Sequence, residues 1–232
     1  SFHLDRLLST LGEDVGLFVA CNPNNPTGTA ITIGQMEKIL EHCKKNGISV
    51  MVDETYIIRI DKLENVCSIP LTAKYDNLFV IRGISKFFAA PGLRLGYGIT
   101  SSAKFHQLLA ENQDPWSVNI LASYAGELIF SDKDFMEESK ALISGERKKI
   151  FDELRNWKNI KVYDSDSNFI LVKLLTDKIT AAEIFEYMVR KKMVIRDAAS
   201  FTFLDESYLR FCILTPEENE RLLRELKSIV EQ

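Results

Sequence analysis

Long apolar runs are missing from this chain. No stretch approaches the roughly 20 consecutive apolar residues that a membrane-spanning helix requires, and Ser1 to Leu11 lacks the basic-then-apolar order of a secretory leader. No membrane partner is expected. Blocks of like charge are missing too: 29 Lys and Arg stand against 33 Asp and Glu, a formal net charge of -4, so no field gathers nucleic acid or an anionic surface. Cysteine is scarce. Cys21, Cys43, Cys67 and Cys212 are widely spaced and form no Cys-x-x-Cys pair. They fall mostly in apolar runs, where a thiol packs as a small hydrophobe. No metal site is expected, and a reducing cytoplasm fits. Internal repeats and low-complexity tracts are absent as well.

What remains is an ordinary globular composition, 46% hydrophobic and 27% charged over 232 residues, enough for a sizeable core and one or two domains. Gly16 to Cys21 is a short apolar run that ends in an Asn-Pro-Asn-Asn-Pro-Thr-Gly turn cluster, the pattern of a buried parallel strand and its loop. A helix is expected next: Thr32 and Gln35 have capping-box spacing, Met36, Ile39, Leu40 and Cys43 repeat at helical period, and Lys44, Lys45 and Gly47 mark the stop. Ile48 to Val52 then reads as a strand delivering Asp53, and Leu78 to Ile81 as a strand whose following turn delivers Lys86.

Strand, helix, strand implies parallel pairing. Asn25, Asp53 and Lys86 are each separated by roughly one βαβ unit of about 30 residues, and ligands of such sheets bind beyond the carboxyl ends of the strands. Leu95 to Thr100 suggests one more strand, and Ser117 or Asn119 caps a helix through Leu121, Tyr124, Leu128 and Ile129. Asp134 to Trp157 reads as a charged connecting helix. Beyond Ile160 the pattern is a small α+β lobe. Its strands are Phe169 to Leu174, Val194 to Arg196 and Tyr208 to Leu214, with a Thr180-capped helix between and a last helix opened by Thr215, Pro216 and Glu218.

Three motifs carry chemistry: Asn25-Pro26-Thr27-Gly28, Asp53-Glu54-Thr55-Tyr56, and Ser85-Lys86 with Arg94. Each alone has a plain reading as turn chemistry, a strand-end carboxylate or a solvated lysine. In this order they resemble the fold-type I pyridoxal phosphate family. The runs Arg82 to Tyr97 and Pro115-Trp116-Ser117-Val118-Asn119 are similar to its histidinol-phosphate aminotransferase and threonine-phosphate decarboxylase branch. The resemblance spans nearly the whole chain.

The resemblance implies an α/β fold, with part of an aminotransferase-type large domain built on a mainly parallel sheet (1–118), connecting helices (119–158) and a small C-terminal α+β domain (159–232). It implies pyridoxal 5'-phosphate as cofactor, a group that withdraws electrons from a substrate amine held as an imine. Lys86 is then the imine-forming amine, Asp53 the partner of the pyridine nitrogen, and Tyr56 and Asn25 contacts of the ring 3-oxygen. Ser85 and Arg94 bind the phosphate, a task suited to a hydroxyl and a planar guanidinium fork. In the small lobe Arg210 grips the substrate carboxylate, Arg196 meets an anionic tail of the substrate, and Asn168 lies near the substrate.

Two departures are visible. Gly83 stands where the family usually has a phosphate-binding serine or threonine, and Ala198 to Phe203 lacks the usual glycine or proline of that loop. The expected activity is transamination of an amino acid or amino-alcohol phosphate in amino-acid metabolism, with a small-molecule amino donor and a keto-acid acceptor. The alternatives are decarboxylation of threonine phosphate and a cofactor-free inactive fragment. Family chains begin well before the first motif, so the resemblance also implies an N-terminally truncated large domain and, for the complete protein, a homodimer.

Overall fold

Alternation of period two and period 3.6 divides the chain into the elements of a mixed α/β protein, seen in a computed structural model that describes residues 2–57 and 63–232. Two units are distinguished by their internal contacts. The first comprises Ser1–Asn24 and Thr29–Met136, the second Asn25–Gly28 and Glu137–Gln232.

In the first unit a short helix α1 (Leu4–Leu8) precedes β1 (Leu17–Cys21), α2 (Ile33–Lys45), β2 (Ser49–Asp53), β3 (Leu78–Gly83), the single-turn helix α3 (Ile84–Phe87), β4 (Gly96–Ile99), α4 (Ala103–Asn112) and α5 (Ile120–Ser131). β1, β2 and β3 pair in parallel in that order, with Ala20 opposite Val52 and Val52 opposite Val80. The strand expected at Leu95 to Thr100 is β4, and it pairs antiparallel to β3. Close approach explains its glycines: a Cβ on Gly98 would lie 2.3 Å from the Phe79 ring.

α2 starts where its capping box places it. Thr32 accepts from the Gln35 amide, and the Gln35 side chain returns to the Thr32 amide. The apolar stripe Met36, Ile39, Leu40 and Cys43 packs with Ala20, Val50, Val52, Leu78 and Val80 as one core. Successive strand residues point to opposite faces, so Leu17, Val19 and Cys21 share the other face with Met51 and Asp53. That face is open along β1, where Leu17 and Val19 are 53% and 50% exposed.

The boundary between the units falls within α6 (Lys133–Leu154). The second unit continues with β5 (Ile160–Val162), β6 (Phe169–Leu174), α7 (Ala181–Arg190), β7 (Arg196–Asp197), β8 (Tyr208–Cys212) and α8 (Pro216–Val230). Its sheet is antiparallel throughout, in the order β5-β6-β8-β7. Ile170, Val172, Leu174, Leu209 and Phe211 meet Ile184 and Met188 of α7, Leu222 and Leu226 of α8 and Ile150 and Leu154 of α6 in a second core. Capping boxes at Thr180 with Glu183 and at Thr215 with Glu218 open α7 and α8.

Three details differ from the sequence reading. The strand expected at Val194 to Arg196 is only Arg196–Asp197, because Val194 is 80% exposed and packs against nothing that would hold it in the ladder. Helix α4, capped by Ser102, had no counterpart in the periodicity, since Leu108 and Leu109 remain half exposed. Of the four thiols only Cys43 is buried; Cys21 and Cys212 are exposed because they fall on the outward parity of their strands. Among the described residues no helix is long and apolar enough to cross a membrane.

Candidate active site

Hydrophobic alternation in β2 decides where the two acids at its end go. Asp53 pairs in register with Cys21 and Ile81, on the face opposite α2, and Glu54 turns to the other face, where its side chain is fully buried. The Asp53 carboxylate is fixed by its own loop. Oδ1 accepts from the Thr55 amide at 2.9 Å and from the Thr55 hydroxyl, an Asx-type arrangement that sets the side-chain rotamer. Partial desolvation at the strand end, with the Asp53 charge added, pushes the exposed Cys21 thiol up.

One parallel strand further, β3 ends at Gly83 and the chain turns into α3, which carries Ser85 and Lys86. The Lys86 ammonium lies 5.7 Å from the centre of the Tyr56 ring, within cation–π range. The turns after β2 and β3 therefore bring Lys86 and Tyr56 together. Gly83 is extended at φ -149, and a Cβ there would meet its nearest neighbour, Leu95 O, at an ordinary 3.5 Å. Neither backbone nor space demands glycine, so a serine or threonine would fit.

Arg94 adopts the left-handed conformation, φ 56 and ψ 45, which costs a residue with a Cβ about 1–2 kcal/mol. Its Nη1 donates to Pro91 O at 2.8 Å, and the residue is exposed. The left-handed backbone is the common geometry of a residue that ends a helical turn, here Pro91–Leu93.

The covered face holds two residues of the quoted motifs, Glu54 and Arg82, to which the sequence assigned no role. Arg82 donates through Nε and Nη2 to Oε2 of Glu54, at 3.0 and 2.7 Å. The Ser68 amide donates to Oε1 at 2.5 Å, and Arg82 Nη2 also lies 3.0 Å from Cys67 Sγ. Burial pulls the Arg82 guanidinium down, but the Glu54 carboxylate outweighs it and the net direction is up. The Cys67 thiol is raised by burial and by Glu54. The sequence signal for their pairing is two opposite charges at otherwise apolar strand ends.

In the second unit Asn25 and Arg210 are joined. Arg210 Nη1 donates to Asn25 Oδ1, and its guanidinium stacks 4.8 Å above the Phe169 ring. Gly28 closes this segment: its φ is +73, a Cβ would come within 2.1 Å of Ser165 Oγ, and its carbonyl accepts from the Asp166 amide at 2.8 Å. Arg196 is the direct cross-strand partner of Arg210, so both project from one face of the sheet. Arg196 donates to Ser200 Oγ at 2.7 Å and lies 5.6 Å from the Phe201 ring. Asn168 binds through its backbone, accepting from the Ile213 amide at 2.8 Å, and its side chain is half-buried.

The donor set is chemically suited to pyridoxal phosphate. An acid with a fixed rotamer, an amine beside a phenol, and a hydroxyl and an exposed guanidinium following the same strand are the groups a pyridinium, an aldehyde and a phosphate require.

The profile of aminotransferase class I and II matches residues 1–226. The histidinol-phosphate aminotransferase of Methanosphaera stadtmanae is 31% identical over 98% of this chain and 60% of its own length. The threonine-phosphate decarboxylase of Salmonella typhimurium is 30% identical over 97% and 61%. The solved structure of histidinol-phosphate aminotransferase from Clostridium acetobutylicum superposes with a TM-score of 0.91 at 30% identity, over 98% of this chain and 67% of that one. The chain thus spans about three fifths of the length of the curated relatives it matches. A match across nearly the whole sequence, a mixed α/β architecture and the ordered Asn25, Asp53 and Lys86 motifs together establish that this chain belongs to the aminotransferase class I and II family.

Proposed function

We propose that the protein is a pyridoxal phosphate-dependent aminotransferase acting on an amino acid or amino-alcohol that carries a phosphate. The observation that carries this reading is the placement of Lys86 beside Tyr56, on the turn after the strand that neighbours Asp53. When bound, pyridoxal phosphate supplies the electron withdrawal that makes a substrate α-carbon acidic. Lys86 takes and returns the proton at that carbon. Asp53, held by Thr55, keeps a proton on the pyridine nitrogen, and the Tyr56 phenol donates to the ring oxygen. Ser85 and Arg94 bind the cofactor phosphate, and the hydroxyl and exposed guanidinium that follow β3 support that role. Asn25 is read as a further contact of the ring oxygen.

Arg210 takes the substrate carboxylate, and Arg196 an anionic tail such as a phosphate; Asn168 lines the substrate. Two arginines directly opposite each other repel unless anions lie between or upon them, which supports a substrate with two anionic groups. The test is reduction with borohydride in the presence of pyridoxal phosphate, followed by peptide mapping. Modification confined to Lys86 is expected, and modification elsewhere refutes the assignment. Decarboxylation of threonine phosphate is the second reading, favoured by the relatives of that name; release of carbon dioxide in place of a keto acid selects it.

A homodimer and a cytoplasmic setting complete the proposal. Trp116, Ile120, Leu121 and Tyr124 form an exposed apolar strip along and before α5, which supports association. Free, exposed Cys21 and Cys212 are compatible with a reducing compartment.

A further inference from the structure

The buried Glu54–Arg82 pair joins two segments whose neighbours do the proposed chemistry. Glu54 follows Asp53 directly, and Arg82 precedes the turn that carries Ser85 and Lys86. The backbone links the same segments: the Glu54 amide donates to Ile81 O at 2.9 Å, extending the β2–β3 pairing past Asp53. The Ile84 amide in turn donates to Leu95 O at 3.2 Å, which starts α3 immediately after Arg82 and Gly83.

The geometry is specific. Both Arg82 donors converge on one carboxylate oxygen while the other is taken by the Ser68 amide, so Glu54 has a single arrangement that satisfies it. Its side chain is fully buried and that of Arg82 is 11% exposed. A buried ion pair is seldom a better source of stability than apolar side chains of the same volume. Its distinctive property is direction, because a guanidinium fork satisfies a carboxylate only over a narrow range of positions. A slip of the β3 turn along the β2 end would leave two charges unpaired, whereas an apolar pair would tolerate it.

We propose that Glu54 and Arg82 are positioning residues: their ion pair fixes the register between the turn bearing Asp53 and the turn bearing Lys86, and so sets how those two groups meet the cofactor. The inference rests on the reading that Asp53 and Lys86 serve pyridoxal phosphate. It assigns neither Glu54 nor Arg82 any contact with substrate or cofactor. Cys67 and Ser68 complete the pair, Ser68 through its amide to Glu54 and Cys67 through its sulfur to Arg82.

The test uses two variants of the protein, Glu54→Gln and the double variant Glu54→Met with Arg82→Met. The first keeps shape and the Ser68 bond but removes the charge; the second replaces the pair by apolar side chains. Far-UV circular dichroism and thermal unfolding without cofactor report folding. Titration with pyridoxal phosphate, followed by the pH midpoint of the visible absorbance, reports the setting of Lys86 and Asp53 independently of turnover. At least one variant is expected to fold like the parent, to bind cofactor ten-fold or more weakly, and to show a shifted absorbance midpoint. A folded variant that binds within two-fold of the parent and titrates at the same pH overturns the proposal. Failure of both to fold would make the pair a stability element and would overturn it equally. Borohydride mapping of the parent separates the two levels: a label away from Lys86 sinks the cofactor reading and this inference together, while a label on Lys86 leaves the variants to decide.

Discussion

The two sheets of this molecule deliver chemistry by opposite means. In the first unit β1, β2 and β3 run parallel and pack against α2, and the reactive candidates Asp53, Tyr56, Ser85 and Lys86 all come from the ends of these strands and the turns beyond them. In the second unit the strands are antiparallel, and Arg196 and Arg210 project from within paired strands. Crossover connections leave a parallel sheet's carboxyl ends free for loops, whereas an antiparallel sheet with helices on one face leaves the other face to its own side chains. Loop-borne groups answer to local turn chemistry, as Thr55 shows at Asp53. Strand-borne groups answer to register.

The sharpest probe of this contrast is on the loop side. Lys86→Ala is expected to lower kcat by roughly 10²–10⁴-fold, the usual range for loss of a positioned acid–base group. Because Lys86 is exposed, unfolding of the cofactor-free protein should be unchanged. A parallel loss of stability would mean that Lys86 is a packing residue and would break the comparison.

Core truncation tests whether each unit, defined by its internal contacts, also unfolds by itself. Ile39→Ala in the first core and Ile170→Ala in the second each remove a fully buried side chain and should cost about 2–5 kcal/mol. Chemical denaturation followed at both Trp116 and Trp157 is expected to show Ile170→Ala shifting the Trp157 signal, since Trp157 belongs to the second core. Identical shifts at both probes for both variants would show one cooperative unit.

On the register side, Arg210→Lys keeps the charge but loses the fork over Phe169 and the bond to Asn25. A rise in KM of roughly 10–100-fold for amine substrates bearing a carboxylate is expected from the loss of one charged contact. Arg196→Ala should raise KM selectively for phosphorylated substrates, and an equal rise for unphosphorylated ones would remove the tail-binding role.

Acid should act on the second unit through Glu146. Its carboxyl is held below the ordinary glutamate range by the Lys149 ammonium and by Asn219, against the opposing effect of burial. A depressed folded pKa gives stability that is present above the unfolded pKa and disappears as pH falls through the folded one. Glu146→Gln should therefore flatten the loss of stability below about pH 4.5, measured by urea midpoints across pH. The smallest expected effect is Thr215→Ala at the α8 cap, about 1 kcal/mol.

Legibility of the sequence followed the same division. The capping boxes at Thr32, Thr180 and Thr215 span one turn, so their residues alone specify them, and each opens a helix as expected. The strand ends that carry Asp53 and Lys86 were equally readable, because an apolar run followed by a polar turn is a local pattern. Helix α4 escaped because its apolar residues stay half exposed and leave no clear stripe.

The order and spacing of Asn25, Asp53, Lys86 and Arg94, the family they indicate and the helix starts at Thr32, Thr180 and Thr215 were determined by sequence alone, since each rests on neighbours a few residues apart or on their order along the chain. Tertiary structure alone decided that β4 runs antiparallel, that Arg196 faces Arg210, that Arg210 bonds Asn25 and that Glu54 is buried against Arg82. Those pairings join residues distant in sequence. Which partners meet is set by strand register and by the requirement that every buried charge find its counter-charge, and neither is encoded in any local window.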